Sequence, residues 1–182
     1  VVHTVNAFVE RDAPNVVVLR TFAMDALELV AASGQFGAIE AMATLREYRF
    51  DLAANTVAQR EWADVRGEFP VVNPAFMGRA HRYAWATVFA DTGEAYGVGF
   101  LKFDFDTGAV QRHTYADGGR AGEVVFVPRH GAAADAAEDD GYLCTFVYVP
   151  ATNSSQWRLF DAADLSEVAV VQLPARVPFG FH

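Results

Sequence analysis

The sequence predicts an all-β chain. Three observations carry that expectation: short β-rich runs bounded by Gly, Pro or Asp, turn signals between those runs, and a weak internal repeat. The runs are Val16-Val17-Val18-Leu19, Tyr96-Gly97-Val98-Gly99-Phe100-Leu101 and Val124-Val125-Phe126-Val127. The turn signals are Asp12-Ala13-Pro14-Asn15, Asp91-Thr92-Gly93, Asp106-Thr107-Gly108 and Asp117-Gly118-Gly119. One segment, from Phe22 to Ile39, has helical spacing through Phe22, Leu27, Leu29 and Val30, and two glycines lie near its end. It is expected to be a short helix within a long loop.

The repeat has three units. Tyr48-Arg49-Phe50-Asp51-Leu52 leads to Asn55-Thr56-Val57, Leu101-Lys102-Phe103-Asp104-Phe105 to Thr107-Gly108-Ala109-Val110, and Trp157-Arg158-Leu159-Phe160-Asp161 to Leu165-Ser166-Glu167-Val168. Each is an apolar strand, an Asp at the turn, then a second strand. The turn aspartates at 51, 104 and 161 recur at a little over fifty residues, which suits a four-stranded propeller blade with long loops. Three such units are too few to close a ring, so residues 1–182 are expected to be part of one larger β-propeller domain, about three blades of it, truncated at both ends.

At 182 residues, with 52% hydrophobic and 20% charged residues, the chain can bury a real core and is not of a disordered class. Its apolar runs are short and broken, too short to span a bilayer as helices. A formal charge of −9 argues against a phosphate-binding surface, and no nucleic-acid partner is expected. The single cysteine, Cys144, sits within Tyr142-Leu143-Cys144-Thr145-Phe146-Val147-Tyr148-Val149 and reads as a buried structural thiol. With one cysteine no disulfide forms within the chain, which fits a reducing, cytoplasmic setting.

The histidines are His3, His81, His113, His130 and His182. His3 and His182 stand among apolar and aromatic neighbours, where a neutral imidazole makes sense as a metal ligand; a satisfied core histidine is the alternative. The closing run Val177-Pro178-Phe179-Gly180-Phe181-His182 places one candidate ligand at the very end and His3 nearly at the start, so the chain reads as a piece cut close to a metal site. His81, flanked by arginines, is expected on a surface turn, and His113 and His130 in solvent. Most carboxylates, including Glu138-Asp139-Asp140, read as solvated surface. Glu68 and Glu123 each head an apolar stretch, where a free charge is costly unless paired. A carboxylate accepting the proton of a metal-bound histidine meets that need; an edge-strand glutamate facing water is the alternative. No nucleophile elbow, phosphate loop or cysteine-pair zinc spacing is present in the sequence, which leaves hydrolase, nucleotide-binding and zinc-finger readings little support.

Four stretches together resemble the carotenoid cleavage oxygenases, the family that also holds lignostilbene dioxygenases and the retinoid isomerase of vision. They are His3-Thr4-Val5-Asn6-Ala7-Phe8, Gly67-Glu68-Phe69-Pro70-Val71-Val72-Asn73-Pro74, Gly122-Glu123-Val124-Val125-Phe126-Val127-Pro128-Arg129 and Val177-Pro178-Phe179-Gly180-Phe181-His182. Glu138-Asp139-Asp140-Gly141-Tyr142-Leu143, and Leu165 after Asp161-Ala162-Ala163-Asp164, add to the resemblance, which in order and spacing covers the whole chain.

The resemblance implies a seven-bladed propeller carrying non-haem Fe(II) on its axis, held by four histidines. His3 matches the third ligand and His182 the fourth, while Glu68 and Glu123 match carboxylates behind the ligands. The first two ligands would lie upstream. Where the family often has Glu-Pro, Glu123 is followed by Val124, and after Phe8 an often acidic position is Val9. The implied reaction adds O2 across a conjugated C=C bond of a carotenoid, apocarotenoid or stilbenoid and yields two carbonyl products, with no organic cofactor. A polyene substrate leaves room for peripheral membrane contact. A non-cleaving isomerase of the same family, or a metal-free propeller scaffold, are the alternatives. Phe8, Phe69, Phe179 and Phe181, next to these motifs, are candidates for substrate tunnel or core, with core favoured for most. With two ligands of four, the chain alone is expected to be inactive.

Overall fold

A computed structural model describes residues 3–25, 43–90, 96–133 and 135–178. Among them the chain forms thirteen strands, ordered as three antiparallel four-stranded meanders plus one bridging strand. The first blade comprises β1 (His3–Glu10), β2 (Ala13–Ala23), β3 (Thr44–Asp51) and β4 (Thr56–Arg66). The second comprises β5 (Glu68–Val71), β6 (Tyr83–Phe89), β7 (Gly97–Asp104) and β8 (Val110–Thr114). β9 (Arg120–Ala121) follows, then the third blade: β10 (Val125–Pro128), β11 (Gly141–Val149), β12 (Ser154–Asp161) and β13 (Glu167–Gln172). In β9, Ala121 pairs with both Gly97 and Val147 and so joins the second and third blades into one ladder. The fold is all-β and forms part of a β-propeller, as the repeat predicts.

The repeat is the hairpin between third and fourth strands of each blade. Asp51, Asp104 and Asp161 end β3, β7 and β12. Their Oδ1 atoms accept from the next amides: Ala53 and Ala54, Asp106 and Thr107, and Ala163. Four residues after each Asp the backbone turns left-handed, at Asn55 (φ 53°), Gly108 (φ 76°) and Leu165 (φ 64°). A short side chain that bonds its own backbone is what makes such a turn close, which is why Asp is the residue that recurs.

The inner strands of the second blade, β6 and β7, are buried on both faces and so read as near-continuous apolar runs rather than alternating ones. Ala84, Ala86, Leu101 and Phe103 face the first blade, in a core with Val5, Phe22, Leu45, Val65 and Val72. Trp85 and Phe100 face the third, in a core with Phe126, Leu143, Val147 and Phe160. Trp85 Nε1 donates to the Ala162 carbonyl at 3.1 Å across that boundary.

Several expectations are corrected. Phe22 and Ala23, the start of the expected helix, lie in β2, paired with Leu45 and Thr44; residues 26–39 of that segment lie outside the described residues, as does the turn at Asp91. The acidic run is a latch between blades rather than solvated surface. The Glu138 carboxylate accepts from the amides of Arg82 and Tyr83 at 2.9 and 2.7 Å, and Asp139 lies 2.5 Å from the buried Lys102 ammonium. Asp140 pairs with Arg129 at 2.6 Å. The partners of Glu138 and Asp139 come from distant sequence, so local composition could not show them. His113 is half-buried, its ring stacked on Phe100 at 5.0 Å and 4.6 Å from Phe160, because β8 pairs it directly with Phe100. Burial lowers its pKa. His130 is exposed, as expected. Cys144 is half-buried rather than buried, its thiol 3.6 Å from the Val125 carbonyl. Among the described residues no helix is long and apolar enough to cross a membrane.

Candidate metal centre

His3 opens β1 and Glu68 opens β5, the first strands of adjacent blades, which pack side by side. His3 Nδ1 lies 2.5 Å from Glu68 Oε2. The same oxygen accepts the Phe69 amide at 2.8 Å, so Glu68 Oε2 meets both a backbone N–H and the His3 ring. The tautomer that donates Nδ1–H to this carboxylate leaves the lone pair on Nε2, the arrangement in which histidine ligates metals.

Each member is fixed from below. His3 pairs with Phe22 across the β1–β2 ladder, and the buried Thr21 hydroxyl donates to the His3 carbonyl at 2.8 Å. Gly67 precedes the carboxylate, and a Cβ there would stand 2.9 Å from the Thr87 carbonyl, so only glycine lets β5 approach β6 this closely. Glu68 is 5% exposed. Burial raises its pKa, while the Phe69 amide and His3 pull the other way. Among the described residues its second oxygen, Oε1, is buried without a hydrogen-bond partner. A buried carboxylate with one oxygen unsatisfied is costly.

Glu123 is half-buried and lies two residues ahead of β10. Its backbone carbonyl accepts from Thr145 at 2.7 Å. The neighbouring Gly122 carbonyl accepts from Thr87 at 3.1 Å, and Thr87 is the residue that pairs with Glu68. The structure thus brings His3 and Glu68 into contact, while Glu123 lies near the start of the next blade. His182, Phe179 and Phe181 lie outside the described residues. Phe8 is buried, as expected of core; Phe69 is half-buried beside His3.

A neutral imidazole oriented by a buried carboxylate fits a divalent metal ion: His3 would ligate it, and Glu68 would set the tautomer and supply negative charge behind the ligand. Among the described residues no group of three or more His, Cys, Asp or Glu is clustered to hold a metal.

Sequence reasoning missed the anchors. His81, expected on a surface turn, is 6% exposed. Its Nδ1 lies 3.0 Å from Asn6 Nδ2, and Arg20 donates to its carbonyl at 2.7 Å. Asn6 also donates to the Phe76 and Arg79 carbonyls, each at 3.0 Å, and accepts from the Gly78 amide at 2.9 Å. One side chain on β1, three residues from His3, therefore holds the whole 76–81 turn. The arginines around His81 misled: Arg20 from β2 folds inward, over Phe105 at 3.7 Å and paired with Glu47.

The fold and this pair define a propeller chain that places a carboxylate–histidine pair at the openings of neighbouring blades. Comparison with known proteins gives that class its family. The family model described as retinal pigment epithelial membrane protein matches residues 1–182, and the chain belongs to that family. A probable carotenoid cleavage dioxygenase 4 of Arabidopsis thaliana is 33% identical over the whole chain, which covers 31% of that protein. The apocarotenoid-15,15'-oxygenase of Synechocystis is 31% identical, again over the whole chain and 37% of that protein. The crystal structure of the cobalt-substituted Synechocystis enzyme superposes with a TM-score of 0.84 over 99% of this chain and 38% of that one. The chain spans about a third of the length of these relatives.

Proposed function

We propose that the chain is part of an oxygenase that cleaves a conjugated C=C bond of a carotenoid or apocarotenoid with O2, giving two carbonyl products. A stilbenoid substrate is the variant within the same chemistry. In this reading His3 and His182 are ligands of an Fe(II) ion, with Glu68 and Glu123 as carboxylates behind the ligand shell and two further ligands on another part of a longer protein. The observation that carries it is the 2.5 Å contact of His3 Nδ1 with the buried Glu68 carboxylate. The relatives' names, carotenoid and apocarotenoid oxygenases, support the substrate class.

The bound iron would supply the activation of O2. Everything else falls to the chain. Glu68 holds the proton on Nδ1 and so keeps the Nε2 lone pair directed for ligation. The burial of Glu68 removes water that would compete for that proton. Phe69 presents an aromatic face beside His3, 5.0 Å ring to ring, which fits an apolar polyene better than a polar substrate. Both oxygen atoms of O2 end in the two carbonyl products, so no external reductant is needed.

The test is elemental analysis of the full-length protein, with and without His3→Ala, followed by chromatography of carotenoid and apocarotenoid incubations. About one iron per chain in the wild type, lost in the variant, together with aldehyde or ketone products, is expected. A well-folded wild type without metal, or with metal but no cleavage of any polyene or stilbene, overturns the proposal.

A further inference from the structure

Four non-glycine residues among those described have positive φ: Asn55, Phe69, Asn153 and Leu165. Asn55 and Leu165 close the Asp turns, and Asn153 follows the short turn at Pro150–Thr152. Phe69 is different. It lies inside β5, at φ 50°, immediately before Pro70. Neither an aromatic side chain nor a following proline favours a left-handed backbone. The conformation goes with a change of register: Glu68 pairs with Thr87 and the next pair is Val71 with Trp85, so Phe69 and Pro70 together oppose the single residue Ala86. This is a bulge, a device that re-aims a side chain at the cost of a ladder bond.

The bulge does two things at the site. It turns the Phe69 amide onto Glu68 Oε2 at 2.8 Å, the oxygen that meets His3. It also sets the Phe69 ring 5.0 Å from the His3 ring at 51°, with Phe89 behind it at 5.7 Å. A strained residue of unsuitable type persists only where its surroundings impose it, and such residues gather at functional sites.

We propose that Phe69 is a positioning residue for the His3–Glu68 pair: its backbone bulge fixes which carboxylate oxygen meets Nδ1, and its ring fixes the plane of the imidazole. The role as a metal-site device rests on the reading of His3 as a ligand; the role in holding the pair does not. Phe69 acts through His3 and Glu68, and its loss weakens the site without abolishing it.

The experiment uses the full-length protein as wild type, Phe69→Asn, Phe69→Leu and Phe69→Tyr. Asn accepts the left-handed backbone but lacks the ring, Leu keeps apolar bulk without a planar face, and Tyr keeps the ring. Three quantities are read: thermal unfolding of the metal-free protein, the affinity and visible absorption spectrum of added Co(II), and the downfield Nδ1–H proton of 15N-labelled histidine in the metal-free protein. The His3→Ala variant assigns that proton. The expected result is a melting temperature near wild type for Phe69→Asn. Its Co(II) affinity should fall on the order of 10- to 100-fold, with a changed spectrum and a lost or exchange-broadened Nδ1–H signal. Phe69→Tyr should restore all three. Wild-type affinity, spectrum and Nδ1–H signal in Phe69→Asn overturn the proposal. If Phe69→Asn does not fold, the same criteria apply to Phe69→Leu against Phe69→Tyr. A wild type that takes up no metal overturns the metal-site role and the proposed function, while the Nδ1–H signal still decides whether Phe69 holds the pair.

Discussion

Acid should weaken the join between the first two blades through His81. The imidazole is buried between Phe8 and Phe105, its Nδ1 3.0 Å from the Asn6 amide and Arg20 close by. Burial, and then the Arg20 charge, lower its pKa from 6.5 to about 4. A depressed base binds its proton less well folded than unfolded. Its stabilisation is therefore whole above pH 6.5 and is lost as pH falls towards about 4. The full shift corresponds to about 3 kcal/mol, of which about 2 kcal/mol is already lost at pH 5. That is a large part of a typical domain's stability of roughly 5–15 kcal/mol. The check is urea unfolding at pH 7, 6 and 5 for wild type and His81→Asn. Asn places an oxygen near Nδ1 to accept from Asn6 but does not titrate. The variant should be weaker at pH 7 through lost ring packing, yet lose about 2 kcal/mol less than wild type between pH 7 and pH 5. Parallel profiles for the two proteins would refute the reasoning.

Three further outcomes follow from the same geometry. Gly99→Ala should unfold the second blade or destabilise it by about 3 kcal/mol or more, since its Cβ would stand 2.0 Å from the His113 carbonyl oxygen; Gly108→Ala, with open space around it, should cost only about 1 kcal/mol in chemical denaturation. At Leu165, buried and left-handed, both truncations lose the side chain, but Gly relieves the backbone; Leu165→Gly should therefore be more stable than Leu165→Ala by about 1 kcal/mol, the reverse of the usual order. Burial raises the Glu138 pKa, so its contribution to stability is greatest below the ordinary 4.5 and is lost as pH rises through the higher folded value. Glu138→Gln should accordingly gain on wild type between pH 4 and pH 7 in thermal unfolding; a gain in the opposite direction would show that the two amide bonds outweigh burial.

What the sequence disclosed was whatever the chain must do locally. The Asp turns were legible because each closes through its own side chain, so Asp51, Asp104 and Asp161 recur whatever packs around them. The site pair was legible through its apolar setting and the family pattern around His3 and Glu68. Residues settled by distant partners were not. Glu138 looks solvated until Arg82 and Tyr83 present their amides, and His81 looks exposed until Arg20 turns inward from a strand sixty residues away. The left-handed Phe69 is the plainest case, since Phe before Pro argues against that conformation and only the register of β5 on β6 reveals it.

These hidden contacts are also what make the site. His3 and Glu68 belong to different blades, so neither blade folded alone would contain the pair; it exists only when β1 and β5 are packed together correctly. Three contacts hold that packing: Thr21 on the His3 carbonyl, the Phe69 ring on the imidazole, and Asn6 on the turn that leads into β6. Asn6 is the anchor that bonds His81. Protonating His81 adds an N–H beside the Asn6 amide and Arg79 carbonyl and brings a second charge next to Arg20. The acid lability of the blade join and the geometry of the candidate metal ligand therefore meet on one strand. Loss of the His3 Nδ1–H signal should accordingly begin in wild type at a higher pH than in His81→Asn, before either protein unfolds, and simultaneous loss in both would separate the two sites.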